Sequence, residues 1–248
     1  MKRFLPVVIA LFILGLFGLW VHDGNIRGTT APPHHQSQPH KQPTKPPTKT
    51  APPVFDKTLY STTDPASLWV IVNKKHPLQP LSYAPSDLTA VGNGQYLRTE
   101  AASALKTMLT AAQRAGFAVT PASGYRSYAT QVSVYNSEVK SYGQATADSE
   151  SARPGYSEHQ TGLAMDLASG GCSITDCFGT TPGGKWVTAH AYEYGFILRY
   201  PSGYTDVTGY RTETWHFRYV GTALSEEMHN EGVATLEQFF GVTGGTDY

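Results

Sequence analysis

Two histidines, an aspartate and a glutamate are the residues in this 248-residue chain whose types and spacing offer chemistry. His159 and Asp166 lie in Ser-Glu-His-Gln-Thr-Gly-Leu-Ala-Met-Asp at 157–166, among otherwise small and apolar neighbours. His216 follows far downstream in Glu-Thr-Trp-His-Phe-Arg-Tyr at 213–219. Two imidazoles and one carboxylate suit zinc. A catalytic zinc usually keeps three protein ligands and leaves the fourth position to water, whose pKa it lowers to about 7. Glu213, three residues before His216, is then a free carboxylate placed to serve as general base.

The elements that must position these groups can be read from apolar periodicity. The run 67–76 is rich in Leu, Trp, Val and Ile and reads as a strand ending before Pro77. Residues 100–116 set Ala101, Leu105, Met108, Leu109 and Ala112 at helical spacing, with Gly116 suited to the C-terminal cap. A short strand is expected over 117–121, then a helix over 128–142 with Gln131, Tyr135 and Val139 on one face, then a polar loop. Further on, the pattern gives a helix over 185–194, strands over 196–200 and 215–220, and a helical stretch over 225–240. Strict strand alternation would put Glu213 and His216 on opposite faces, so a turn or bulge is expected around Thr214. His190 and His229 read as buried core residues rather than ligands.

Composition narrows the class. Lys+Arg and Asp+Glu number 19 each, so no bulk charge points to nucleic acid or acidic lipid. With 12% aromatics, 15 Tyr and 24 Gly, a loop-rich α+β enzyme is favoured over a helical bundle.

The N-terminus decides the compartment. Lys2 and Arg3 precede a charge-free apolar run over 4–21, long enough to span a bilayer and followed by no small-x-small cleavage site. An uncleaved signal anchor is favoured over a removed signal peptide, and the positive-inside rule puts the remainder outside the cytoplasm. Residues 27–53 turn to Pro, Thr, His, Gln and Lys and read as a disordered spacer, with His34, His35 and His40 as solvated linker residues. The organisation is therefore 1–26 membrane segment, 27–53 linker and 54–248 catalytic domain.

Four blocks carry a resemblance when taken together. They are 153–167, 124–131 (Gly-Tyr-Arg-Ser-Tyr-Ala-Thr-Gln), 194–201 (Tyr-Gly-Phe-Ile-Leu-Arg-Tyr-Pro) and 212–221. In that content and chain order the sequence resembles the VanY-like D-alanyl-D-alanine carboxypeptidases, zinc peptidases that trim peptidoglycan stem peptides. Thr214 departs from the proline the family often carries there. The resemblance implies an α+β domain in which helices pack on a small antiparallel sheet whose strands carry the zinc ligands His159, Asp166 and His216. It implies Arg126 as the electrophile facing the oxyanion, and Ser157 and Gln131 as substrate-binding residues. The rival local readings, held as the lesser ones, make Arg126 an ion-pair partner, Ser157 a helix or turn cap and Gln131 a solvated helix residue. The implied activity is removal of the C-terminal D-alanine by a monomer. L,D-carboxypeptidase action on tetrapeptide stems and a non-catalytic wall-binding module are the alternatives.

Cys172 and Cys177, the only cysteines, stand five positions apart after Asp166. Outside the cell they are expected to be oxidised to each other, stabilising by roughly 2 kcal/mol and fixing a loop at the rim of the site. A zinc-binding thiolate pair is the rival reading.

Overall fold

The computed structural model describes residues 54–248. The predicted membrane segment and spacer, with His34, His35 and His40, lie outside the described residues. Among the described residues no helix is long and apolar enough to cross a membrane.

A hairpin opens the regular structure: β1 (Leu88–Gly92) pairs antiparallel with β2 (Gln95–Arg98). Asn93 and Gly94 join them at φ 51° and 70°. Two positive φ values define the tight turn that Asn-Gly adopts most easily, and its twist matches the strands. Helix α1 (Thr99–Arg114) buries Ala101, Ala102, Leu105, Met108 and Ala112 along one stripe. It ends where Gly116 enters the left-handed region at φ 90° and the Phe117 N–H reaches back to the Ala112 carbonyl. That is the capping role expected of a glycine, which meets no Cβ penalty there.

Strand β3 (Val119–Ser123) follows, and α2 (Tyr128–Tyr142) begins at Ser127, whose hydroxyl accepts the Thr130 N–H. The expected polar loop after α2 contains instead a further helix, α3 (Gln144–Glu150). Its Gln-Ala-Thr-Ala-Asp-Ser-Glu composition shows no apolar stripe, and Ala147 is its single buried residue, so periodicity had nothing to detect. Next come β4 (Ala164–Ser169), the two-residue β5 (Cys172–Ser173) and α4 (Pro182–His190), capped by the Thr181 hydroxyl with Pro182 at its first turn. A 3-10 turn over Ala191–Tyr194 completes the predicted 185–194 helix. The chain ends with β6 (Phe196–Tyr200), α5 (Thr205–Thr208), β7 (Glu213–Tyr219), α6 (Thr222–Glu231) and α7 (Leu236–Phe240). The predicted 225–240 helix is two helices, because Gly232 turns left-handed at φ 67° and Thr235 caps a new start.

The main sheet runs β3-β4-β7-β6, all antiparallel, with β5 on β4. Met108 from α1, Leu167 from β4, Phe217 from β7 and Leu224 from α6 meet in one apolar cluster with Phe178 and Phe196. The fold class is thus α+β, a small antiparallel sheet with packed helices, as expected.

The run 67–76 is not a strand. Leu68, Trp69, Val70, Ile71 and Val72 are all buried, so its apolar content reflects burial rather than pairing in a ladder. The Ser67 N–H bonds to the Asp64 carbonyl, and the Leu68 and Val70 carbonyls accept from the Arg218 guanidinium at 3.0 and 2.8 Å. Short apolar runs do not reveal which partner takes the backbone. His190 and His229 also depart from expectation: both are surface residues, His190 beside Glu193 and His229 stacked on Tyr192.

Candidate metal centre and active site

Asp166 of β4 and His216 of β7 are direct cross-strand partners, so sheet register alone brings them together. His159 arrives from the 3-10 turn Glu158–Thr161, which ends at Gly162 in the left-handed region and hands the chain into β4. The ligand atoms of the three residues lie within 4.8 Å of one another. His159 Nε2 stands 3.3 Å from Asp166 Oδ2, and His216 Nδ1 stands 3.1 Å from Asp166 Oδ1.

The His159 ring is oriented by its other nitrogen. Nδ1 lies 2.9 Å from the Gly124 carbonyl oxygen, which accepts only from a protonated nitrogen, so Nε2 is left as a lone pair facing Asp166. Position 124 has no room for a side chain: a Cβ there would sit 2.5 Å from the Tyr96 carbonyl oxygen and 2.9 Å from the Met165 methyl.

The donor set fits a divalent ion. Asp166 Oδ1 is buried and makes no hydrogen bond in the protein, although a ring nitrogen lies 3.1 Å away. Three such groups converging within 4.8 Å could hold one ion among them. Burial lowers the His159 pKa, which keeps that imidazole neutral and ready to ligate. Burial pushes His216 the same way, but Asp166 and Glu158 more than offset it and raise the ring to about 10. The surroundings of His216 therefore favour positive charge, as proton or metal. The same rings hold the Asp166 carboxyl well below its usual range despite burial.

Glu213 reaches the centre through the expected irregularity. Leu198 pairs with Phe217 and Tyr200 with Glu213, so residues 214–216 of β7 stand against Arg199 alone. Such a bulge re-aims side chains beside a site. Thr214 pins it: its hydroxyl accepts the Gly179 N–H at 3.1 Å and lies 3.3 Å from the Asp176 carbonyl. Glu213 Oε2 ends 3.5 Å from His216 Nδ1. Burial raises the Glu213 carboxyl to about 7, with the His216 charge acting the other way.

Arg126 faces the same cavity, of about 540 Å³, held by Gln131 Oε1 at 2.9 Å and Ser123 Oγ at 3.0 Å. Ser157 lines the cavity, and its side chain does not cap the turn it precedes. Gln131 is fully buried behind Arg126, its amide nitrogen 2.7 Å from the Ala152 carbonyl, and it is not a lining residue. Trp215 is pocket wall.

Cys172 and Cys177 are bonded, with Cα atoms 5.7 Å apart, which removes the thiolate reading. The loop they close carries Ile174 into the cavity mouth at φ 52°. Sequence reasoning passed over Glu158, Tyr200 and Tyr210, which also line the cavity. Glu158 adjoins a ligand, and its position between Ser157 and His159 was the one signal available.

A His-Asp-His centre carried by two paired strands and a 3-10 turn, with a partly buried carboxylate beside it and an arginine across the cavity, defines a metallopeptidase. The model of the VanY D-alanyl-D-alanine carboxypeptidase family matches residues 94–222. The chain is 43% identical over 188 residues to the "putative carboxypeptidase YodJ" of Bacillus subtilis (strain 168), covering 71% of this chain and 68% of that protein. Among solved structures, the LdcB LD-carboxypeptidase matches with TM-score 0.67 and 42% identity, over 72% of this chain and 88% of the other. A variant of the vancomycin-resistance D,D-pentapeptidase VanY from a VanB-type cassette, solved with Zn(II), matches with TM-score 0.60 and 30% identity, over 68% and 97%. This chain belongs to the VanY D-alanyl-D-alanine carboxypeptidase family.

Proposed function

We propose that this protein hydrolyses the bond preceding the C-terminal D-alanine of peptidoglycan stem peptides, with zinc held by His159, Asp166 and His216. The observation that carries the reading is Glu213, partly buried and 3.5 Å from His216 Nδ1, with its carboxyl raised to about 7. A general base works best with its pKa near the operating pH. Zinc supplies a Lewis acid for the scissile carbonyl and an acidified water. Glu213 takes the water's proton and returns it to the departing amine. Arg126 presents a fixed guanidinium to the developing oxyanion. Ser157 offers its hydroxyl to the substrate's terminal carboxylate, and Gln131 contributes by holding Arg126 in place.

Two bonds fit this scheme. The family description supports D,D-cleavage of pentapeptide stems, the reading expected from the sequence. One observation favours L,D-cleavage of tetrapeptide stems: identity is 42% to the LdcB LD-carboxypeptidase and 30% to the VanY D,D-pentapeptidase. The tetrapeptide is therefore the preferred substrate in this proposal. The setting is extracytoplasmic, because the wall substrate lies there, with the N-terminal segment as membrane tether and the protein acting as a monomer.

Mass spectrometry of purified stems after incubation with the full chain tests it. The expected result is loss of one alanine from the tetrapeptide, and loss from the pentapeptide alone would favour the D,D reading. Neither stem losing alanine in the presence of zinc would refute the carboxypeptidase proposal.

A further inference from the structure

The catalytic scheme leaves one buried carboxylate without a task. Glu158 is 1% exposed, beside the ligand His159 and among two guanidinium groups. Its Oε1 accepts from Arg199 Nε at 2.8 Å and from Arg218 Nη1 at 2.7 Å. Those bonds occupy one oxygen. The other, Oε2, faces His216 Nε2 at 3.4 Å.

The partners of Glu158 are themselves held. Arg199 forms a two-toothed pair with Glu237, at 2.6 and 2.9 Å, and Glu237 also accepts from Asn73. Arg218 donates to the carbonyls of Leu68, Val70 and Tyr219. Planar guanidinium forks of this kind hold a carboxylate in one orientation. The two arginines and two glutamates of the cluster balance in charge.

An imidazole that donates from Nε2 carries its lone pair on Nδ1 if it is neutral. Nδ1 is the nitrogen that faces Asp166 at 3.1 Å and Glu213 at 3.5 Å. We propose that Glu158 is a positioning residue of the metal centre: it takes the Nε2–H of His216 and so fixes the ring with its Nδ1 lone pair toward the ion. The Arg199–Arg218 pair holds Glu158 at that station. A carboxylate serving only to neutralise the two arginines would have no reason to aim its second oxygen at a ligand ring. The inference rests on the reading of His216 as a zinc ligand.

The test compares three full-length proteins, each verified as folded by circular dichroism: wild type, Glu158→Gln and Glu237→Gln. Zinc affinity is measured by competition with a chelator, and the cobalt-substituted forms are compared by visible absorption. Glu237→Gln removes the same charge from Arg199 without touching His216, so it reports the structural cost alone. The expected result is a loss of about 10- to 100-fold in zinc affinity and an altered cobalt spectrum in Glu158→Gln, with both near wild type in Glu237→Gln. Wild-type affinity and spectrum in Glu158→Gln overturn the inference, as does an equal loss in Glu237→Gln. Should Glu158→Gln not fold, nitrogen-15 NMR of the zinc-loaded wild type decides. A proton on His216 Nε2 with a metal-shifted Nδ1 is expected, and the reverse assignment overturns it. A wild-type chain that takes up no zinc sinks the metallopeptidase reading itself, whereas the variant outcomes bear on Glu158 alone.

Discussion

Glu213 combines two demands that usually conflict, being buried enough to lose solvation yet close enough to cationic groups to ionise. With burial raising its carboxyl to about 7, the group is protonated and inactive as a base below that value. A bound divalent ion adds positive charge beside it and lowers the value. The acid limb of a kcat/KM profile should therefore fall at or below about pH 7, with activity lost as pH drops through it. Glu213→Gln keeps the shape and removes the proton acceptor. It should retain zinc while turnover falls by about 10²- to 10⁴-fold, and the residual activity should lack the acid limb. A wild-type rate in zinc-loaded Glu213→Gln would remove Glu213 from the mechanism.

At the scale of elements, the β7 bulge brings Glu213 and His216 together on a strand whose alternation would separate them. Thr214 is its fastening, through the Gly179 N–H and the Asp176 carbonyl. Thr214→Val keeps the volume and forfeits both bonds, at about 1 kcal/mol each. Calorimetry should show a melting temperature lower by several degrees, and kcat should fall several-fold while zinc stays bound. An unchanged kcat would show that the bulge holds Glu213 without Thr214. The need for this bulge was legible in the spacing of Glu213 and His216, because a regular strand cannot turn both side chains to one face. The candidate ligands His159, Asp166 and His216 were equally readable as a group, since few roles explain an imidazole and a carboxylate set in short apolar blocks, and the fold does bring the three together. Helix α1 was plain from its repeating stripe. What stayed hidden depended on contacts that only the fold creates: the 67–76 segment, whose Leu68 and Val70 carbonyls are taken by Arg218, and Gln131, whose amide meets the Arg126 guanidinium and the Ala152 carbonyl. Helix α3 stayed hidden because it presents almost nothing apolar to the core.

For the molecule as a whole, the buried Glu158–Arg199–Glu237 cluster sets the response to acid. Burial alone would raise both carboxyls, but Arg199, joined at Glu158 by Arg218, more than offsets it and holds both below their usual range. A carboxyl whose pKa is lower folded than unfolded stabilises the fold above its unfolded value of about 4.3, and that contribution is lost as pH falls toward the folded value. The cluster's own contribution should thus be level between about pH 7 and 5 and be lost below about 4, read as the melting temperatures of wild type and Glu237→Gln converging in acid. Glu237→Gln, which leaves Arg199 short of a partner, should cost about 3–5 kcal/mol at neutral pH and flatten the acid drop. A parallel acid drop in the variant would locate the sensitivity elsewhere.

The same cluster joins the two ends of the described chain. Asn73 bonds to Glu237 and to the Thr243 carbonyl, Lys74 to the Thr246 carbonyl, and the Arg153 N–H to the hydroxyl of the final residue, Tyr248. Segments near the start of the domain thus wait for its last residues before their polar groups are satisfied. On a ribosome that releases the N-terminal part first, these closures come only once residues 237–248 have emerged. Until then Asn73 and Lys74 lack the partners that satisfy them in the finished fold, so this part of the domain closes late.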